Sequence, residues 1–379
     1  MPTTIADVAR RAGVSTATVS RVLSGVGRAR PQTEQRVQEA ARELGFRPSD
    51  VARSLKRRST LTIGLIVSDI ENPYFPQLVK AVESAAIEAG YAILLCSAGD
   101  DAERESSYLQ LLVDRRVDGL IVAASTLGLR QSAWLAVAPL PVVLVNTAVP
   151  DLGIPSIVSD NAGGGRAAAE HLIGLGHRRF AYLLPPPRNL DAPGRLDGVR
   201  AALAEAALSG AGRGDALAVA GGGPTVSGGE AAMRELLGRE PRPTAVIAYN
   251  DLMAIGAMGA IRRAGLRVPD DVSLVGFDDV AFAAYVEPAL TTLRQETVEM
   301  GRWAVGHLTG EIAARVAAGS GDRPTDGPDR GAGSAGSAGS SSSGGSSGSG
   351  GSGGSGGRAV QRVVPVRLVV RGTTGPPPD

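Results

Sequence analysis

Hydrophobic positions near the amino end recur at the helical repeat. Ile5, Val8, Ala9 and Ala12 fall on one face, Gly13 interrupts the run, and Val19, Val22 and Leu23 form a second face after the capping residue Ser15. A third amphipathic run starts near Pro31 and Thr33, carries Val37, Ala40, Ala41 and Leu44, and stops at Gly45. Three short helices with a glycine turn predict a small all-α head over 1–47, of helix-turn-helix type. With Val19, Val22 and Leu23 turned inward, Thr16, Ala17, Ser20 and Arg21 project from the second helix. Residues 48–60 follow as a separate stretch, with about two turns of potential helix too short to be stable in isolation.

From Leu61 the pattern changes. Apolar runs at 62–67, 91–95, 119–123, 142–145, 180–184, 245–248 and 273–275 alternate with amphipathic stretches such as 78–89 and 301–318. This is the βαβ pattern of parallel sheets covered on both faces. About ten such runs exceed one small sheet, so the expected class is α/β: the helical head plus two Rossmann-like lobes, with a ligand cleft at the carboxyl ends of the strands.

Composition changes the picture in three places. A Gly/Ser-rich run within 319–357 has no means of forming a packed core and reads as a flexible insertion. Cys96 is the single cysteine, in an apolar run, so it reads as a small buried hydrophobe without a disulfide partner. No signal-peptide core opens the chain and no stretch approaches a bilayer span, so a cytoplasmic protein without membrane contact is expected.

Net charge is +1 over 379 residues, but it is unevenly spread. The first 58 residues hold twelve Arg and Lys against five carboxylates, a net +7, leaving −6 on the remainder. A basic head on a mildly acidic body points to a polyanion. Arg21 is placed to bond guanine O6 and N7 together, or to pair with phosphate; Arg53, Lys56 and Arg57 are placed to neutralise phosphates. Enzyme chemistry finds little footing: His171, His177 and His307 are the only histidines, and no GxSxG, HExxH or Walker pattern occurs. Gly163-Gly164-Gly165 is a weak phosphate-loop signal. No cofactor or metal is implied.

The runs Thr4-Ile5-Ala6-Asp7-Val8-Ala9, Ala12-Gly13-Val14-Ser15, Thr18-Val19-Ser20-Arg21-Val22-Leu23 and Val51-Ala52-Arg53-Ser54-Leu55 resemble the LacI/GalR repressor family. The resemblance continues through Glu71-Asn72-Pro73-Tyr74-Phe75, Leu175-Gly176-His177-Arg178-Arg179, Asn250-Asp251, Gly276-Phe277-Asp278-Asp279 and Pro288-Ala289-Leu290-Thr291-Thr292. It implies a sequence-specific DNA-binding regulator, most simply a repressor released by a sugar-like inducer. A corepressor-dependent regulator of nucleobase type and a solute-binding protein are the alternatives. It also implies a homodimer on a near-palindromic double-stranded operator, with Leu55 wedged into the central minor groove; no leucine heptads follow that would build a tetramer.

The implied DNA-binding set is Thr4, Ser15, Thr16, Ala17, Thr18, Ser20, Arg21, Arg28, Arg53, Leu55 and Lys56. The implied effector-binding set is Tyr74, Phe75, Arg195, Asn250 and Asp278, with Ser125 and Asn146 at cleft-lining strand ends. Thr147 and Gly223 stand where purine-responsive relatives place aromatics, which weakens a nucleobase reading. Lobe 1 is expected at about 61–159 and 292–318, and lobe 2 at about 160–290 and 358–375, including a final strand at 362–371, with three crossovers between the lobes.

Overall fold

The computed structural model describes residues 3–24, 29–46, 59–123, 129–149, 152–208, 217–320 and 360–378. Arg28, Arg53, Leu55, Lys56 and Ser125, the stretch 47–58 and the Gly/Ser-rich run lie outside the described residues.

The head consists of α1 (Ile5–Ala12), α2 (Thr16–Ser24) and α3 (Pro31–Glu43). Thr4 and Asp7 close a reciprocal capping box at the start of α1, and Gly13 ends it at φ 64°, a left-handed turn that glycine adopts without steric cost. Ser15 Oγ accepts the Thr18 amide at 3.1 Å and starts α2. Val8, Ala9, Ala12, Val19, Val37, Ala40 and Ala41 form the core, with Val22, Leu23 and Leu44 half-buried against it.

The body is two six-stranded sheets. The first has the order β11-β5-β4-β3-β1-β2, from β1 (Thr62–Val67), β2 (Ala92–Ser97), β3 (Gly119–Ala123), β4 (Val142–Val145), β5 (Ser156–Ser159) and β11 (Gln361–Val364), all parallel. Helices α4 (Tyr74–Glu88), α5 (Ala102–Asp114), α6 (Leu129–Ala136) and α11 (Thr297–Ser320) belong to this lobe. The second sheet has the order β12-β10-β9-β8-β6-β7, from β6 (Phe180–Leu184), β7 (Ala218–Gly221), β8 (Ala245–Ala248), β9 (Ser273–Asp278), β10 (Thr291–Arg294) and β12 (Arg367–Val369). Its strands are parallel except β12, which runs antiparallel to β10. Helices α7 (Asn161–Gly174), α8 (Ala192–Leu208), α9 (Val226–Leu237) and α10 (Asp251–Arg263) complete it. Central strands such as β3 and β4 are buried at every position, the reason they read as continuous apolar runs.

Two expected boundaries are corrected. The anticipated strand at 362–371 is two strands: β11 pairs with β5 in the first sheet, and β12 pairs with β10 in the second. Pro365, which lacks a ladder N–H, lies between them, and the chain changes lobe there. Likewise β10 belongs to lobe 2, not lobe 1. Thr292 Oγ1 bonds Asp251 Oδ1 at 2.5 Å, and the Thr291 amide bonds Thr373 Oγ1 at 2.8 Å, so the strand crosses only after Arg294. The crossovers are therefore Asp160, residues 295–296 and residues 365–366.

Cys96 is buried as expected. Gly165 and Gly198 explain how closely α7 and α8 approach: a Cβ on the first would lie 1.9 Å from the Arg195 carbonyl oxygen, and on the second 2.0 Å from that of Ala162. A Cβ on Gly164 would meet the Phe277 ring at 2.7 Å. Gly163 in turn leaves room for the Asp160 side chain that caps α7, 2.2 Å from where its Cβ would lie, so the triple glycine serves capping and packing.

Candidate functional site

On the head, Thr16, Ala17 and Arg21 are exposed and Ser20 is half-exposed on α2, with Ala17 and Arg21 opposite its buried Val19. Ser15 and Thr18 lie at the same end, but their hydroxyls are tied to each other and to the cap. The Thr4 hydroxyl donates to Asp7 Oδ2 at 2.7 Å, so it shapes α1 before it can touch anything else.

Between the lobes lies a cleft lined by residues that follow strands of both sheets. Tyr74, Phe75, Asn146, Arg195, Asn250 and Asp278 all line it, so six of the seven expected effector residues converge. Tyr74 and Phe75 enter on the first turn of α4 and meet edge to face, with ring centroids 5.3 Å apart. Asn146, at φ 60° just past β4, donates from Nδ2 to the Tyr74 hydroxyl.

Arg195 is the most constrained group. Its Nε donates to Asn161 Oδ1 at 2.9 Å, Nη1 to the Tyr249 carbonyl at 2.7 Å and Nη2 to Asp191 Oδ2 at 2.7 Å. Its Cζ lies 3.7 Å from the Phe277 ring centroid and 4.5 Å from that of Tyr249. Burial is the largest influence and opposes the charge, but Asp191, Tyr249, Asp278 and Tyr182 together outweigh it and keep the guanidinium protonated. Two of its five N–H groups remain for a ligand.

Asp278 ends β9 at φ 129°, a backbone conformation side-chain-bearing residues rarely adopt and a mark of functional sites. Gln295 Nε2 donates to its Oδ1 at 2.7 Å. Burial pushes its carboxyl well above the usual range, the Arg195 charge working against that and Asp251 reinforcing it. Asn250 caps α10, its Oδ1 accepting the Met253 amide at 2.9 Å while Nδ2 donates to the Pro224 carbonyl at 3.1 Å. It therefore has only its second N–H and a spare lone pair to offer. The sequence reading missed Asp69, Asn72, Asp100, Asn189, Asp191, Tyr249 and Gln295 as cleft residues. Asp69 and Asp100 follow the ends of β1 and β2, a position that could have flagged them.

His171 and His177 serve structure. His177 bonds Thr244 Oγ1 at 3.0 Å and the Gly375 carbonyl at 2.9 Å, and His171 bonds Thr374 Oγ1 at 3.0 Å, so both pin the C-terminal tail to lobe 2.

Residues 4–49 match the model of bacterial regulatory proteins of the lacI family, and 169–326 match a periplasmic binding protein-like domain. The transcriptional regulator GalR of Escherichia coli strain K12 is 41% identical over 297 residues, covering 78% of this chain and 85% of GalR. The chain belongs to the lacI family. As a lacI-family protein it is a DNA-binding transcriptional regulator and not an enzyme. The structure of the lac repressor dimer bound to operator and the anti-inducer ONPF is similar at a TM-score of 0.79, with 28% identity and coverage of 99% of this chain and 100% of that one. A complex of the regulator CelR with cellobiose is similar at a TM-score of 0.66, with 30% identity and 98% and 99% coverage.

Proposed function

We propose that this chain represses transcription as a cytoplasmic homodimer on a near-palindromic operator, and releases it when a sugar-like polyol binds between the lobes. The observation that carries the effector class is that Asp278 and Arg195 of the second lobe and Tyr74 and Phe75 of the first line one cleft. A carboxylate accepts from adjacent hydroxyls, a guanidinium fork donates to others, and aromatic edges cover an apolar ring face. Similarity to a regulator solved with cellobiose supports the class. Exposed Ile87, Leu94 and Leu95 on lobe 1 and Phe282 and Tyr285 on lobe 2 supply apolar surface for a dimer.

The head would place Thr16, Ala17, Ser20 and Arg21 against base edges, with Thr4, Ser15, Thr18, Arg28, Arg53 and Lys56 on phosphates and Leu55 as the minor-groove wedge. The test is footprinting of the full-length protein on genomic DNA, repeated with a panel of sugars and nucleosides. A near-palindromic site released by one sugar is the expected result. A site strengthened by a nucleobase would replace the inducer with a corepressor, and absence of any specific site would sink the reading.

A further inference from the structure

We infer that the cleft takes an uncharged polyol and rejects its phosphorylated or carboxylated counterparts, a statement about ligand class that rests on the polyol reading above. Two independent observations carry it.

The first is charge. Asp69, Asp100, Asp191 and Asp278 all line the cleft, and among the described lining residues Arg195 is the one cation. Its charge is already matched by Asp191 at 2.7 Å, with both side chains less than a tenth exposed. Burial raises the Asp100 carboxyl, and the charges of Asp69 and Asp191 add to that; Arg188, outside the lining, acts in the opposite sense. Should Asp278 hold a proton, as its burial favours, three carboxylates still face one guanidinium at the cleft and Arg188 at its margin. A phosphate dianion brought here would meet no uncommitted cation among those lining residues.

The second is the state of the helix ends. Helix N-termini bind phosphate through free amide groups, and several open beside this cleft. At four of them one amide already receives a side-chain acceptor from the chain itself. Asn72 Oδ1 takes the Tyr74 amide of α4 at 3.1 Å, Thr225 Oγ1 takes the Gly228 amide of α9 at 3.1 Å, and Asn250 Oδ1 takes the Met253 amide of α10 at 2.9 Å. At α7, Asp160 Oδ1 takes the Gly163 amide at 2.8 Å and adds negative charge. Among the described residues only Gln295 donates to the 95%-buried Asp278 carboxyl, and it does so through Oδ1, leaving Oδ2 for a ligand hydroxyl, which can donate to it or accept from it. A hydroxyl serves in either sense, whereas an ionised phosphate or carboxylate oxygen can only accept.

The experiment is isothermal titration of the full-length protein with matched pairs: glucose and glucose 6-phosphate, galactose and galactose 1-phosphate, cellobiose and cellobionate. The expected result is binding of one neutral member, with its charged partner at least about tenfold weaker at low salt. In Asp69→Asn/Asp100→Asn the gap should narrow through tighter binding of the charged member, and salt should narrow it in the parent protein. Equal or tighter binding of a charged member overturns the inference while leaving the polyol reading intact. A gap unmoved by both the double variant and salt overturns the electrostatic cause. If no member of any pair binds, the polyol reading itself falls and takes the inference with it.

Discussion

The close approach of α7 and α8 makes Gly165→Ala a sharp probe, because Gly165 sits on the backbone of the residue that anchors the cleft. The added Cβ would lie 1.9 Å from the Arg195 carbonyl oxygen, against the 3.0 Å below which real contacts essentially do not occur. The helices must therefore part locally by about 1.1 Å or more. Overpacking of this kind costs about 1–3 kcal/mol, a fall in melting temperature of roughly 2–12 °C for a lobe of this size. The same shift moves Arg195 away from its bonds to Asn161, Asp191 and the Tyr249 carbonyl. Losing one charged hydrogen bond to the ligand, about 1.5–3 kcal/mol, weakens effector binding by about 10- to 150-fold. Operator affinity without effector should stay within a few-fold, since the head is untouched. The assay is fluorescence anisotropy of labelled operator titrated with the inducer, alongside a circular dichroism melt. Gly174→Ala, on the same helix with nothing within 4 Å, is the control and should leave the release midpoint in place. An unchanged melt and midpoint for Gly165→Ala would refute the packing argument.

Glu105 is fully buried, neither carboxylate oxygen has a hydrogen-bond partner, and burial followed by the charge of Asp100 raises its pKa to about 7. Because the folded-state value lies above the unfolded one, the penalty on the ionised form is complete above pH 7 and gone below about 4.5. Glu105→Gln should thus stabilise by something on the order of 2 kcal/mol at pH 8 and by nothing at pH 4; a pH-independent difference in urea midpoints would contradict this. Truncation after Gly372 removes Thr373, which links the Leu274 carbonyl to the Thr291 amide, and Gly375, which accepts from His177. A loss of about 2–4 kcal/mol in urea unfolding is expected, and an unshifted midpoint would count against the tail as a clamp. Leu55→Ala should weaken specific operator binding far more than binding to random DNA; equal losses in parallel titrations would remove the wedge.

The sequence pattern made the head and the central strands legible because their burial is simple. Helix spacing of Val8, Val19 and Val37 and unbroken runs such as 119–123 reflect positions with no solvent-facing side. The lobe boundaries were less legible because Thr291 and Thr292 look like turn residues, yet both are fully buried, their hydroxyls and amides answered by Asp251, Thr373 and Thr374. Pro365 carried the signal that divides the last strand, but the apolar residues on either side masked it. In the cleft, residues within recognisable motifs were found. Asp69, Asp100 and Gln295 were not, because a loop residue after a strand has no periodicity and only the fold brings it to the site.

Gln295 joins the two lobes at the ligand cleft. It lies at the second crossover, buried, with Oε1 accepting from Ser159 Oγ at the end of β5 (2.5 Å) and Nε2 donating to Asp278 at the end of β9 (2.7 Å). One amide thus ties the first lobe to the carboxyl that faces the ligand. A hydroxyl donating to Asp278 draws on the same carboxyl and changes what that bond is worth in each lobe arrangement. Differential affinity of this kind, about 1–3 kcal/mol, is what an allosteric regulator requires. Gln295→Leu fills a similar volume and removes both bonds. The expected outcome is effector binding still measurable by titration, but an operator dissociation constant that saturating effector no longer raises by more than about twofold. Should the variant bind effector and still release operator as the parent does, the lobes are coupled by another route, through Asp160 or residues 365–366, and Gln295 only fills space.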